Sequence, residues 1–114
     1  MKIGRIYRFE AAHFLPLVPD GHKCKNMHGH NYKVEVTVDG SLASLANGFV
    51  MDFADLDSIV LPIIKTLDHT VLNNVAGLEN PTAEIIALWL KHRLPLCKSV
   101  SVFENEDCWA EVGP

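Results

Sequence analysis

At 114 residues with 48% apolar side chains, the chain is sized for one domain, residues 1–114, around one small core. A net charge of −4 and a pI of about 5.8, with no basic run, exclude general electrostatic attraction to nucleic acid or an anionic membrane. No stretch approaches the roughly 20 apolar residues that span a bilayer. The N-terminal residues lack an apolar segment of signal-peptide length, and Cys24, Cys97 and Cys108 are odd in number and widely spaced, unlike a disulfide framework. The expected setting is the reducing cytoplasm.

In chain order, residues 2 to 13 read as a first strand with Ile3, Tyr7, Phe9, Ala11 and His13 on one parity. Residues 14 to 27, with Pro16, Pro19, Asp20 and Gly21, form a loop carrying Cys24. A second strand spans about 30 to 39, with Tyr32, Val34, Val36 and Val38 inward and Lys33, Glu35, Thr37 and Asp39 outward; Asp39-Gly40-Ser41 ends it. Residues 41 to 52 carry no clear pattern. Asp52 is an N-cap for a helix whose stripe is Phe53, Leu56, Ile59, Val60, Ile63, Ile64 and Leu67, and Pro62 should kink it. A second loop holds Leu67 to Asn74, and Asn80-Pro81 starts a helix over about 81–93. Strands at 98–104 and 108–112 close the chain as a hairpin turning at Asn105-Glu106-Asp107.

The order is β-β-α-α-β-β, which favours an antiparallel sheet with both helices on one face, an α+β fold. A small sheet has edges to cover, so oligomerisation is expected, and the polar face of the second strand could line a solvated interior between copies.

His13 closes the first strand, and Cys24-Lys-Asn-Met-His28-Gly-His30 leads into the second. Imidazole and thiolate bind zinc well, and three protein ligands leave the open position of a catalytic site. Residues two apart on a strand share a side, about 6.6 Å apart, so His28 and His30 can meet one ion. A closed structural site with Cys24 as fourth ligand is the alternative. Lys23, Lys25 and a nearby metal would favour a thiolate at Cys24, suited to work as base or nucleophile; Cys97 and Cys108 read as small apolar residues. Asp68-His69 is either an acid–base pair or a helix C-terminal cap. Glu104 shares parity with Val100 and Val102, so it needs a partner: a lysine or arginine of the chain, or a ligand edge with adjacent N–H donors. Glu84 suits the dipole of the second helix, and Thr82 needs no function there.

Together these residues resemble the 6-pyruvoyl tetrahydropterin synthase / 6-carboxytetrahydropterin synthase family. The motifs carrying the resemblance are Phe9-Glu-Ala-Ala-His13, Cys24-x-x-x-His28-Gly-His30, Met51-Asp-Phe-Ala-Asp-Leu56, Leu67-Asp-His69, Leu72-Asn73, Asn80-Pro-Thr-x-Glu84 and Glu104. The three-residue gap between Cys24 and His28 is similar to the bacterial 6-carboxytetrahydropterin synthase branch, which makes a queuosine precursor. The resemblance implies a tunnelling fold, in which sheets of several subunits join into a barrel with helices outside, commonly as a homohexamer. It implies Zn²⁺ on His13, His28 and His30, Cys24 as proton-abstracting thiolate, Asp68 and His69 as proton relay, and Glu104 as pterin anchor with Thr82 and Glu84 nearby. The implied reaction converts 7,8-dihydroneopterin triphosphate to 6-carboxy-5,6,7,8-tetrahydropterin, acetaldehyde and triphosphate. Two other readings are 6-pyruvoyl tetrahydropterin synthase activity and a zinc-stabilised binding module without turnover. Asn105 departs from the pattern, standing where the family usually has threonine.

Overall fold

Two long strands organise the molecule. In a computed structural model, which describes residues 1–41, 45 and 47–114, β1 (Lys2–His13) and β2 (His28–Asp39) pair antiparallel from Lys2↔Asp39 to His13↔His28. Alternation decides which side each residue takes: Tyr7, Phe9, Ala11 and His13 of β1 are buried, as are Tyr32, Val34, Val36 and Val38 of β2. Phe9 stacks on Tyr32 with ring centroids 4.8 Å apart. The second strand begins at His28, two residues earlier than the hydrophobic alternation indicates, because pairing with His13 continues through the His-Gly-His triplet.

Helix α1 (Phe53–Leu67) buries Leu56, Val60, Ile64 and Leu67. Asp52 caps it as expected, its carboxylate accepting from the Ala54 N–H at 2.8 Å. The helix runs unbroken through Pro62. Ser58 and Pro62 both face solvent, so water can satisfy the carbonyl that proline's missing N–H leaves free. Phe53 and Ile59, expected on the buried stripe, are exposed instead.

After α1 comes a two-residue strand, β3 (Thr70–Val71), parallel to β1 at Ala11–Ala12. It is too short to leave a periodic signal. Helix α2 (Ala83–Arg93) starts later than expected: its N-cap is Thr82, whose hydroxyl accepts from the Ile85 N–H at 3.2 Å, so Asn80 and Pro81 lie outside the helix. Strands β4 (Ser99–Phe103) and β5 (Trp109–Val112) form the closing hairpin. The sheet order is β3-β1-β2-β4-β5, antiparallel except for the β1–β3 pair.

The core is the layer between this sheet and the helices: Ile86, Ala87 and Leu90 of α2 join the α1 residues over Tyr7, Val34, Val36, Val100 and Val102. Each fully buried valine, leucine or isoleucine side chain among them contributes about 1.5–3 kcal/mol. Thr37 was expected to face outward, but it is buried. Its hydroxyl lies 2.6 Å from that of Ser99 and accepts from the Ser99 N–H at 3.2 Å, fastening β2 to β4. Of the stretch 41–52, residues 42–44 and 46 lie outside the described residues. No helix among the described residues is long and apolar enough to cross a membrane.

Candidate functional site

The β1–β2 register sets His13 opposite His28, and His30 follows on the same side of β2. Their ligand nitrogens all lie within 4.8 Å of one another. The hydrogen bonds fix which nitrogen faces the others. His13 Nδ1 is 2.8 Å from the Pro81 carbonyl and His28 Nδ1 is 2.7 Å from the Asn26 carbonyl. A carbonyl only accepts, so both Nδ1 atoms carry the proton, and in the neutral rings both Nε2 atoms present lone pairs. Those two Nε2 atoms are 3.0 Å apart. Two lone pairs so close repel each other unless a cation lies between them.

His30 Nε2 adds a buried nitrogen with no hydrogen-bond partner among the described residues. Burial lowers the proton affinity of both His13 and His30, keeping them in the neutral form a metal needs. For His30 the Glu104 carboxylate, 3.9 Å from Nε2, opposes this in part. Tetrahedral zinc with Zn–N of about 2.0–2.1 Å holds its nitrogens roughly 3.4 Å apart. The donor set, its tautomers and its orphaned nitrogen fit such an ion.

One pocket of about 460 Å³ gathers the rest: His13, Leu15, Lys23, Cys24, His28, His30, Glu104, Asn105 and Cys108 line it. Cys24 lies in a single 3₁₀ turn, Lys23–Lys25, with its N–H held by His22 Nδ1 at 3.0 Å and its carbonyl accepting from the Leu15 N–H at 2.8 Å. That second bond ties the cysteine to the chain two residues past His13. Lys25 is committed elsewhere, to Asp20 at 2.6 Å and the Val18 carbonyl at 3.2 Å, leaving Lys23 as the cation of the pocket wall.

Glu104 leaves β4 at the pocket rim; its N–H bonds the Cys108 carbonyl at 3.1 Å. No lysine or arginine pairs with it among the described residues, which leaves open the ligand role expected from its parity. Asn105 shapes the β4–β5 turn, its Oδ1 accepting from the N–H groups of Asp107 and Cys108 at 2.8 and 2.9 Å. Asparagine here thus makes an Asx turn rather than supporting its neighbour's carboxylate. Cys97 is buried and burial pushes its thiol up, as expected of an apolar filler, but Cys108 is exposed and faces the pocket.

Asp68 and His69 stand apart from this pocket. Asp68 is the C-cap of α1, and its carboxylate accepts from the Glu10 N–H at 3.0 Å, which together with His69 holds it below the usual carboxylate range. His69 takes the left-handed conformation at φ 58° and donates its N–H to the Glu10 carbonyl at 2.6 Å. Its Nδ1 is 3.0 Å from Asp68 Oδ1 and its side chain is 74% exposed. The cap and the dyad are therefore the same residues, lining shallow hollows along the β1 edge. Thr82 and Glu84 do not line the Cys24 pocket: Thr82 caps α2 and Glu84 is exposed in its first turn. The residue of that segment that reaches the site is Pro81, through its backbone carbonyl. Side-chain chemistry gives no signal for such a contact.

The sheet backed by two helices thus carries a three-histidine group on its first hairpin. A family model described as 6-pyruvoyl tetrahydropterin synthase matches residues 2–114. The chain is 44% identical over 117 residues to an Archaeoglobus fulgidus protein provisionally named 6-carboxy-5,6,7,8-tetrahydropterin synthase, covering 98% of this chain and 95% of that one. A Synechocystis 6-carboxy-5,6,7,8-tetrahydropterin synthase is 39% identical over 112 residues, covering 90% and 85%. A Pyrococcus furiosus dihydroneopterin monophosphate aldolase is 40% identical over 96 residues, covering 82% and 76%. Among solved structures, Caenorhabditis elegans 6-pyruvoyl tetrahydropterin synthase superposes with a TM-score of 0.88 at 25% identity, covering 100% and 95%. The chain belongs to the 6-pyruvoyl tetrahydropterin synthase family, a family of enzymes.

Proposed function

We propose that the chain is a zinc-dependent lyase converting 7,8-dihydroneopterin triphosphate to 6-carboxy-5,6,7,8-tetrahydropterin, acetaldehyde and triphosphate, a step toward queuosine. The observation that carries this reading is the convergence of the three imidazoles with a free thiol and a carboxylate that has no lysine or arginine partner among the described residues, in one pocket. His13, His28 and His30 would hold the zinc, which when bound would polarise the substrate's side-chain hydroxyls and acidify the adjacent C–H.

Glu104 accepts two parallel N–H bonds from the 2-amino-4-oxo edge of the pterin and so orients the side chain toward Cys24. Cys24 takes the proton as thiolate, and Lys23 faces the departing phosphates. The Asp68–His69 dyad supplies the partner acid–base pair. Because the dyad is exposed and outside the Cys24 pocket of its own chain, it serves the site of an adjacent copy. Beyond Ala11–Ala12, the outer edge of β1 has no strand partner among the described residues, which suits the edge-to-edge assembly of a cytoplasmic homohexamer. Thr82 and Glu84 act at most indirectly, through the start of α2.

The 40% identity to the Pyrococcus furiosus aldolase favours a second reading, cleavage of a monophosphate substrate between side-chain carbons. Incubating the zinc-loaded protein with dihydroneopterin triphosphate and, separately, with the monophosphate distinguishes these. Acetaldehyde with triphosphate supports the lyase. Triphosphate without acetaldehyde means 6-pyruvoyl tetrahydropterin synthase activity. A two-carbon aldehyde that keeps its phosphate, formed from the monophosphate alone, means the aldolase, and no turnover of either substrate would refute both readings.

A further inference from the structure

His13 is the most enclosed of the three imidazoles, 1% exposed, and its placement depends on groups from three other parts of the chain. Its Nδ1–H reaches the Pro81 carbonyl at 2.8 Å, and the Tyr32 hydroxyl oxygen lies 3.2 Å from the same nitrogen. Tyr32 is itself 1% exposed, and its ring meets both His13 and His30 edge-on, with centroids 5.9 and 5.4 Å away. Pro81 has a carbonyl free for His13 because Thr82, one residue on, is the helix cap.

Asn73 closes the arrangement. Its Oδ1 accepts from the Phe14 N–H at 3.0 Å, and its Nδ2 donates to the Phe14 carbonyl at 2.7 Å and the Glu79 carbonyl at 3.3 Å. One amide thus ties the residue after His13 to the turn that leads into Asn80-Pro81. Removing that amide deletes the tie between the end of β1 and this turn.

We propose that Tyr32 and Asn73 are positioning residues of the metal centre. Asn73 fixes β1's end against the Pro81 carbonyl, and Tyr32 gives the Nδ1–H of His13 a second acceptor while packing against His30. Together they hold His13 in the tautomer and orientation that aim Nε2 at the ion. The proposal rests on the reading of His13, His28 and His30 as zinc ligands. It gives the Leu72-Asn73 and Asn80-Pro81-Thr82 segments a shared task that neither substrate contact nor helix capping covers.

The test measures zinc affinity of the full chain without substrate, by competition with a chromophoric chelator. Tyr32→Phe and Asn73→Ala are each expected to bind zinc 10- to 100-fold more weakly, the usual effect of losing an outer-shell partner. Cobalt substitution should give a visible spectrum shifted from wild type in both variants. Leu56→Ala, a core truncation away from the site, lowers stability but should leave the affinity of the folded protein within about twofold, separating positioning from general loosening. Tyr32→Phe keeps the ring and carries the test if Asn73→Ala does not fold. Wild-type affinity and an unshifted cobalt spectrum in Tyr32→Phe overturn the proposal. Wild-type affinity in His13→Ala instead removes the metal centre itself, and the positioning role with it.

Discussion

The metal-free protein should lose stability as the pH falls through the histidine range. His13 and His30 have proton affinities depressed by burial from the ordinary value of 6.5. Above pH 6.5 both are neutral folded or unfolded, and neither affects stability. Below it the unfolded chain takes up protons that the native state refuses, so stability falls with pH until the folded-state values are reached. If both rings stay neutral in the native state at pH 5.5, each costs about 1.4 kcal/mol relative to pH 7.5, together up to about 2.7 kcal/mol. With a urea m-value of about 1–3 kcal/mol/M, the unfolding midpoint drops by roughly 1–3 M. Bonds from Lys98, Tyr7, the Glu10 N–H and Lys33 respectively hold Asp39, Asp57, Asp68 and Glu106 below the usual carboxylate range. They add little in this window, because carboxyls with ordinary values of 3.8 and 4.5 stay ionised in the unfolded chain too; their loss of stability comes at lower pH. The assay is urea unfolding followed by tryptophan fluorescence in a strong chelator at pH 7.5 and 5.5, with His30→Gln expected to show about half the loss. A midpoint that stays flat or rises on acidification would refute the reasoning.

Cys24→Ala should keep stoichiometric zinc yet lose turnover by about 100-fold or more; loss of zinc in that variant would instead make sulfur a ligand. Glu104→Ala should weaken pterin binding about 10- to 150-fold, the equivalent of one charged hydrogen-bonded contact of about 1.5–3 kcal/mol. Calorimetry with a pterin checks this, alongside unchanged metal content. If the dyad serves a neighbouring copy, co-refolding inactive Cys24→Ala with inactive His69→Ala should restore about a quarter of wild-type activity by random pairing. A mixture that stays inactive places both groups in one chain's site.

Much of this molecule can be read from its residues because its two long strands alternate so regularly. Parity alone places Tyr7, Phe9, Ala11 and His13 on the face that Tyr32 and Val34 share, and so brings the imidazoles together. Asp52 as cap and Asn105 at the turn also declare themselves, since each acts on its own neighbours. What stays hidden depends on partners distant in sequence. Thr37 looks like a solvent-facing threonine until Ser99 arrives from 62 residues away to bury and bond it. Asn80-Pro81 carries the composition of a helix start, but the next threonine caps better and frees the Pro81 carbonyl for His13. β3 consists of two residues whose pairing is visible only once α1 has returned the chain to β1.

The three imidazoles all belong to the first hairpin, within residues 13–30, whereas Glu104 enters only after β4 docks on β2, a pairing such as Thr37↔Ser99 that closes a long loop. Ordering so distant a contact is slow. On the zinc reading, the ion can therefore bind the hairpin weakly before the Pro81 carbonyl and Asn73 dock, and should speed refolding as well as retard unfolding. A pterin, which needs the completed sheet, should act on the unfolding rate alone.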